Sequence, residues 1–252
     1  MRPVAIITGA SMGLGQAISQ ALAQAGYRLV LAARSQEQIN RMAAEFVLAG
    51  GEAIAVPTDV TKPADLERLV KVSLAQFGRI DVLVNNAGVS EAFEPALEGD
   101  TIADRTMHTN LLALMQLTRL VLPTMKTQRS GHIINIASVA GHVALPERSS
   151  YATSKHGVRG FSEALRRELR PMGIKVSMVS PGFIRTEMTR EMRIPMPGPE
   201  IVARAVLSLL RRPRPEIVVP WYYHFPIWLN RCCPSLVDFF LSSWLVNVVR
   251  RK

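Results

Sequence analysis

The chain has 252 residues, 48% of them apolar and 20% charged, with 30 Lys+Arg against 20 Asp+Glu for a formal net charge of +10. So apolar a composition excludes a disordered chain, and the lack of any period of roughly 20 to 50 residues excludes a solenoid; the length suits one large α/β domain or two small ones. The surplus charge raises a polyanion or an anionic membrane as partner, but residues 201–252 alone hold 8 Lys+Arg and 2 acids, all three Trp and 8 of the 15 aromatics.

Short apolar runs alternate with helical patterns along the chain. The first strand, Val4–Ile7, leads into Thr8-Gly9-Ala10-Ser11-Met12-Gly13-Leu14-Gly15 and a helix over 14–25. Glycines after a strand let the backbone turn tightly, approach a pyrophosphate and aim helix N–H groups at it. The spacing differs from the usual G-x-G-x-x-G, so an ordinary strand–helix turn is the alternative. The second strand, Arg28–Ala33, ends at Arg34-Ser35, where a carboxylate would select NAD by accepting the ribose 2′-hydroxyl. Arg34 instead offers a planar cation for a 2′-phosphate, which predicts NADP(H); a solvated surface Arg is the alternative.

A helix over 36–48 precedes the strand Ala53–Pro57. The following Asp59-Val60 suits the adenine amino group, or Asp59 serves as a loop cap. A helix over 63–77, the strand Asp81–Val84 and a helix over 101–125 lead to the strand His132–Ala137, which ends at Ser138 on the edge where open α/β sheets bind ligands. The next helix, 151–170, carries Tyr151 and Lys155 four residues apart, hence on one face. An ammonium beside a phenol lowers its pKa toward neutrality. The plain alternatives are a loop-start hydrogen bond for Ser138, an amphipathic core position for Tyr151 and a solvated helix face for Lys155. A strand at Ile174–Val179, a helix over 199–211 and a strand at Ile217–Val219 complete the alternation. Continuous apolar strands separated by helices imply a doubly wound parallel sheet. Eight prolines between 195 and 234 mark the end of that pattern. The expected organisation is a domain over 1–219 with a hydrophobic, basic appendage over 220–252.

Val4–Ile7 is too short for a secretory h-region, and no run reaches the roughly 20 apolar residues of a spanning helix. The expectation is a cytoplasmic, non-secreted protein. Adjacent Cys232 and Cys233 read as thiols in a reducing compartment. His132, His142 and His156 lack partners at metal-site spacing, and His224 reads as packed or interfacial, so no metal is implied. Residues 221–252, with their aromatics, a helix over 235–249 and the Arg250-Arg251-Lys252 end, suit membrane-surface contact. An oligomer seam or a flap over a pocket is the alternative.

Taken together, the Thr8–Gly15 turn, Asp59-Val60, Asn85-Asn86-Ala87-Gly88, Asn110, Ser138, Tyr151-x-x-x-Lys155 and Pro181-Gly182 with Thr186 resemble a classical short-chain dehydrogenase/reductase from residue 3 to about 219. The resemblance implies a seven-stranded Rossmann sheet. It makes Tyr151 the general acid or base, Ser138 a donor to the reacting oxygen, Lys155 the holder of the nicotinamide ribose and Asn110 the holder of a relay water. It places Gly9, Ser11, Met12, Gly13, Leu14 and Gly15 at the pyrophosphate, Arg34 and Ser35 at the 2′-phosphate, and Asn86, Ala87 and Gly88 by the adenosine ribose. Pro181, Gly182, Ile184 and Thr186 fall at the nicotinamide carboxamide, while Asn85 braces the sheet. Met12 stands where NADP-preferring members often carry a second basic residue, so the NADP(H) reading leans on Arg34. The missing Gly-Gly-containing C-terminal end argues against the usual tetramer and an acyl-carrier-protein substrate.

The expected function is hydride transfer between NADP(H) and a carbonyl or alcohol carbon. Hydrophobic endings in related members favour a lipophilic substrate: a ketone, an aldehyde, a steroid-like molecule or a long-chain lipid. A homodimer or higher homo-oligomer is the expected assembly, with no nucleic-acid partner. The competing reading is a non-catalytic NADP(H)-binding scaffold or redox sensor that docks a partner through its tail.

Overall fold

The computed structural model describes residues 2–90, 100–192 and 194–242. Strand β1 (Val4–Thr8) is apolar up to its last residue because both faces are covered. Successive side chains point to opposite faces, so Ala5 and Ile7 join one core and Val4 and Ile6 the other. In β2 (Arg28–Ala33), Leu29 and Leu31 likewise face the first core and Val30 and Ala32 the second. Each fully buried Leu or Ile contributes about 1.5–3 kcal/mol of transfer free energy.

The first core is closed by α1 (Gly13–Gln24), α2 (Gln36–Leu48) and α7 (Glu200–Arg211), through residues such as Leu22, Met42 and Val206. The second is closed by α3 (Pro63–Phe77), α5 (Ala113–Gln128) and α6 (Ser149–Leu169), through Leu69, Leu117 and Leu165. With β3 (Ala53–Pro57), β4 (Val82–Asn85), β5 (Gly131–Ile136), β6 (Ile174–Pro181) and β7 (Glu216–Val219), the strands form one seven-stranded sheet, ordered β3-β2-β1-β4-β5-β6-β7. All neighbours are parallel. The order reverses between β1 and β4, the switch point where α/β sheets bind ligands.

Two expected elements differ. The single helix expected over 101–125 is α4 (Asp100–Met107), a π-helical turn at His108–Leu112, and then α5. Such turns insert a residue into the helical ladder. This one carries Asn110, whose amide is committed to Val89 and Ser154 rather than to solvent. Of the helix expected over 235–249, the described portion is α9 (Pro234–Phe240). Residues 243–252, with Trp244 and the Arg250-Arg251-Lys252 end, lie outside the described residues.

The described part of the tail is packed onto the domain. After Pro220, a 3-10 turn (Trp221–Tyr223) runs into α8 (His224–Cys232) and then α9. Ile227 and Val237 are buried together with Val143 and Val218, and Asn230 donates to the His142 carbonyl at 3.0 Å. The opposite face is exposed among the described residues: Trp221 is 79% exposed, Phe225 65% and Trp228 57%. Among the described residues, no helix is long and apolar enough to cross a membrane.

Candidate active site

The glycine turn is shaped by contacts that a side chain would break. Gly9 has φ +64°, and a Cβ there would lie 2.9 Å from the Ala87 Cα. At Gly15 a Cβ would lie 2.1 Å from the Gly9 carbonyl oxygen, so the start of α1 sits directly against the loop. Asn86 crosses from the end of β4 and donates from Nδ2 to the Thr8 carbonyl at 2.9 Å and to the Gly9 carbonyl at 3.2 Å. The Thr8 hydroxyl accepts the N–H groups of Asn86 and Ala87 at 3.0 and 3.1 Å. These bonds lock the turn in one shape at the carboxyl ends of β1 and β4. Below it, Asn85 donates to Asn135 at 2.8 Å and to Thr118 at 3.2 Å, bracing β4 against β5 and α5.

Beyond the turn lies a cavity of about 770 Å³, within the usual range for small-molecule and cofactor sites. Ser11, Met12, Gly13 and Leu14 border it beside Gly9, and Arg34, Ser35, Asp59 and Val60 border its far end. Asn86, Ala87 and Gly88 form its floor at β4, while Pro181, Gly182, Ile184 and Thr186 border it after β6. Gly15 and Asn110 do not line the cavity; each packs behind a segment that does. Ser35 precedes α2 without a side-chain cap bond. Thr186 caps the short turn Glu187–Thr189. The Asp59 carboxylate accepts the Thr61 hydroxyl at 2.7 Å and its N–H at 3.0 Å. That hydroxyl bond, chiefly, holds its pKa below the usual value, with the Arg34 charge adding to the effect.

Ser138, Tyr151 and Lys155 meet at the opposite end. Ser138 stands directly after β5, and its Oγ accepts the Ala140 N–H at 3.1 Å, starting a tight turn over Val139–Gly141. Its hydroxyl donates to the Pro181 carbonyl at 3.4 Å and stands near enough to the Tyr151 phenol to influence its pKa. Lys155, only 6% exposed, donates to the Ile136 carbonyl at 2.9 Å. Its Nζ lies 5.7 Å from the centre of the Tyr151 ring.

The electrostatics correct one expectation. Burial raises the Tyr151 pKa, and the opposing influences are the Ser138 hydrogen bond and the Arg148 charge rather than Lys155. The physical reason is burial, which disfavours the phenolate more than the neighbouring groups favour it. Burial also pulls Lys155 down to about 8, still high enough to keep it mostly protonated at neutral pH.

Asn110 is buried behind Lys155's helix. Its Oδ1 accepts the Val89 N–H at 2.8 Å, and its Nδ2 donates to the Val89 carbonyl at 2.9 Å and to Ser154 at 3.1 Å. Its side chain therefore clamps the chain after Gly88 onto α6.

Two bordering residues escaped the sequence reading. Arg148 lines the cavity and donates to the Ser90 hydroxyl at 2.6 Å; nothing sets this Arg apart in sequence except its place three residues before Tyr151. Tyr223, in the tail, accepts the Phe183 N–H at 3.2 Å, and its ring lies where a Gly182 Cβ would come within 2.0 Å. A glycine after Pro181 and an aromatic-rich tail were both visible, but not their meeting. Among the described residues no group of three metal-ligating side chains is assembled.

A doubly wound sheet with a glycine turn at its switch point and a Ser–Tyr–Lys cluster at the same edge defines a dinucleotide-dependent oxidoreductase fold. Residues 3–196 match the family model described as short chain dehydrogenase, and the chain belongs to the short-chain dehydrogenase/reductase family. It is 38% identical to the ketoacyl reductase HetN of Nostoc over 221 residues, covering 85% of this chain and 77% of that one. A short-chain dehydrogenase/reductase of Burkholderia phymatum, solved in complex with NAD, superposes with a TM-score of 0.87 at 27% identity, covering 94% of this chain and 95% of that one. An actinorhodin polyketide ketoreductase variant with NADPH superposes at 0.80 and 30% identity, covering 86% and 95% respectively.

Proposed function

We propose that this oxidoreductase uses NADP(H) to interconvert a carbonyl and an alcohol on a lipophilic substrate. The observation that carries the reading is the convergence of the Ser138 hydroxyl, the Tyr151 phenol and the buried Lys155 ammonium on one wall of the cavity. The bound nicotinamide supplies or accepts the hydride. In reduction, Tyr151 donates its phenolic proton to the substrate oxygen and Ser138 donates a hydrogen bond to the same atom, stabilising the developing charge. Lys155 offers an ammonium for the nicotinamide ribose. In oxidation the proton returns to Tyr151. The burial that raises the Tyr151 pKa keeps it protonated at neutral pH, which suits the reductive direction. The glycine turn, with a backbone that tolerates no Cβ at Gly9 or Gly15, fits a pyrophosphate.

NADP(H) rests on Arg34 at the cavity's far end, standing directly after β2 where a carboxylate would select NAD. NAD and NADPH both occur among the similar structures, so the choice falls to this residue. A charge-assisted bond is worth about 1.5–3 kcal/mol, so Arg34→Ala should weaken NADPH binding roughly 10- to 100-fold and NADH binding less than about threefold. Titration of both cofactors by fluorescence measures this, and equal losses would remove the selectivity argument.

The lipophilic substrate rests on the tail, because Tyr223, Pro226 and Leu241 border the cavity together with Val143 and Leu145. A ketoacyl group is the second reading, favoured by the likeness to ketoacyl reductases. Oxidation of NADPH followed across ketones of rising chain length and ring number, beside a ketoacyl thioester, separates the two. No turnover of any carbonyl would overturn the proposed chemistry.

The uncovered aromatic face of the tail, with exposed Arg231 beside it, supports contact with an anionic membrane surface. Deleting everything after Pro220 is an unclean test, since Tyr223, Ile227 and Val237 belong to the core beneath. Replacing Trp221, Phe225 and Trp228 together by Ser removes outer-face residues only. Co-sedimentation with anionic vesicles should fall about tenfold or more while turnover of a water-soluble carbonyl stays within about twofold. Unchanged sedimentation would place any membrane contact elsewhere. A homodimer or higher homo-oligomer is proposed alongside, on family likeness alone.

A further inference from the structure

We propose that Glu216 is a positioning residue for the reaction, tying together three segments that hold Ser138, the Tyr151–Lys155 helix and the Pro181–Gly182 edge. The proposal rests on the reading of Ser138 and Tyr151 as the reacting pair. Glu216 begins β7, outside the cavity, and touches none of the reacting groups.

Its Oε1 accepts from His142 Nε2 at 2.7 Å and from the Ser180 hydroxyl at 2.5 Å. Its Oε2 lies 3.9 Å from the Arg159 guanidinium. Arg159 in turn donates to His142 Nδ1 at 2.7 Å, so the imidazole accepts on one side and donates to Glu216 on the other. Oε1 of this half-buried carboxylate thus takes two hydrogen bonds while Oε2 faces the Arg159 charge, and such a charge-assisted network is held more stiffly than an exposed ion pair.

Each partner leads to the reacting centre by a short covalent path. His142 closes the turn that Ser138 starts, through its N–H to the Val139 carbonyl at 2.8 Å. Ser180 precedes Pro181, whose carbonyl accepts the Ser138 hydroxyl. Arg159 lies one helical turn beyond Lys155 on α6. The fit is close: a Cβ on Gly141 would come within 2.7 Å of the Lys155 carbonyl oxygen and 3.3 Å of the Arg159 side chain. The tail joins the same network where Asn230 donates to the His142 carbonyl. A catalytic donor misplaced by about 1 Å loses on the order of 10²-fold in rate. Slackening this network should therefore be felt in turnover before it is felt in cofactor binding.

The test compares Glu216→Ala with Glu216→Gln in the full-length protein, since the amide oxygen of Gln still accepts from His142 and Ser180. Glu216→Ala should lower kcat for carbonyl reduction about tenfold or more, leave the NADPH Kd within about twofold, and speed amide exchange in the segments around 138–143 and 180–183 alone. Glu216→Gln should recover kcat to within about threefold of the parent. Ala and Gln variants with equal turnover, or loss of NADPH binding and of exchange protection throughout the molecule, would reduce Glu216 to a general stabilising residue and overturn the proposal. Amide exchange and NADPH binding need no turnover. If the parent reduces no carbonyl, the proposed reaction fails on its own, while local loss of protection still supports the positioning role and unchanged protection sinks it.

Discussion

Tyr151→Phe should lower carbonyl reduction by about 10²- to 10⁴-fold, the range a positioned general acid supplies, while leaving the NADPH Kd within about twofold. The substitution removes one oxygen and keeps the ring. The hydroxyl's interaction with Ser138 is lost, at a cost of about 1 kcal/mol or less in stability. Ser138 keeps the Ala140 N–H as a partner, so its turn stays formed. Single-turnover measurement with NADPH already bound separates the chemical step from binding. Retained turnover would mean that another group delivers the proton, and the proposed mechanism would fall. A parallel loss of cofactor affinity would instead show that the phenol serves binding.

Lys155→Met should make the protein more stable while removing most of its activity. Burial holds the Lys155 pKa down from 10.5 to about 8. The unfolded chain thus keeps this proton to a higher pH than the folded one. Carrying the ammonium inside costs the native state about 3 kcal/mol, a cost fully present below about pH 8 and relieved as pH rises toward 10.5. Methionine removes that cost but leaves the Ile136 carbonyl without its donor, which returns about 1–2 kcal/mol. A net gain of about 1–2 kcal/mol is expected at pH 7, or a Tm higher by roughly 2–8 °C for a chain of this size. The advantage should shrink between pH 8 and 10.5. Turnover should fall about 10²-fold or more, because the ammonium proposed to hold the nicotinamide ribose is gone. A variant less stable than the parent at pH 7 would show that the ammonium's surroundings solvate it better than its burial indicates. Unchanged turnover would remove Lys155 from the mechanism.

Much of the frame is legible in the sequence. All seven strands form where apolar runs stood between helical patterns, because a parallel sheet covered on both faces demands such runs. The glycine turn was legible since its geometry excludes side chains at Gly9 and Gly15. Tyr151 and Lys155 were legible because a helix places residues four apart on one face. Arg34 is placed by the end of β2, and Asn85 braces the sheet as the family likeness implied. The π-helical turn at His108–Leu112 was not legible. It depends on Asn110 finding Val89 and Ser154, partners supplied by other segments.

The tail shows the same division. Its composition announced a hydrophobic, basic end, and that much belongs to the sequence. Which aromatics face outward and which enter the cavity was set by packing: Ile227 and Val237 met Val143 and Val218, leaving Trp221 and Phe225 uncovered and Tyr223 against Gly182. Glu216 and His142 stand 74 residues apart and Arg159 lies on a third element, so no local pattern relates them. Periodicity and spacing report what neighbours along the chain must do, and they determined the sheet, the glycine turn and the Tyr–Lys pair. The direction Lys155 points, the clamp of Asn110 and the carboxylate behind Ser138 arise from contacts between distant segments, which exist only once the sheet has brought those segments together.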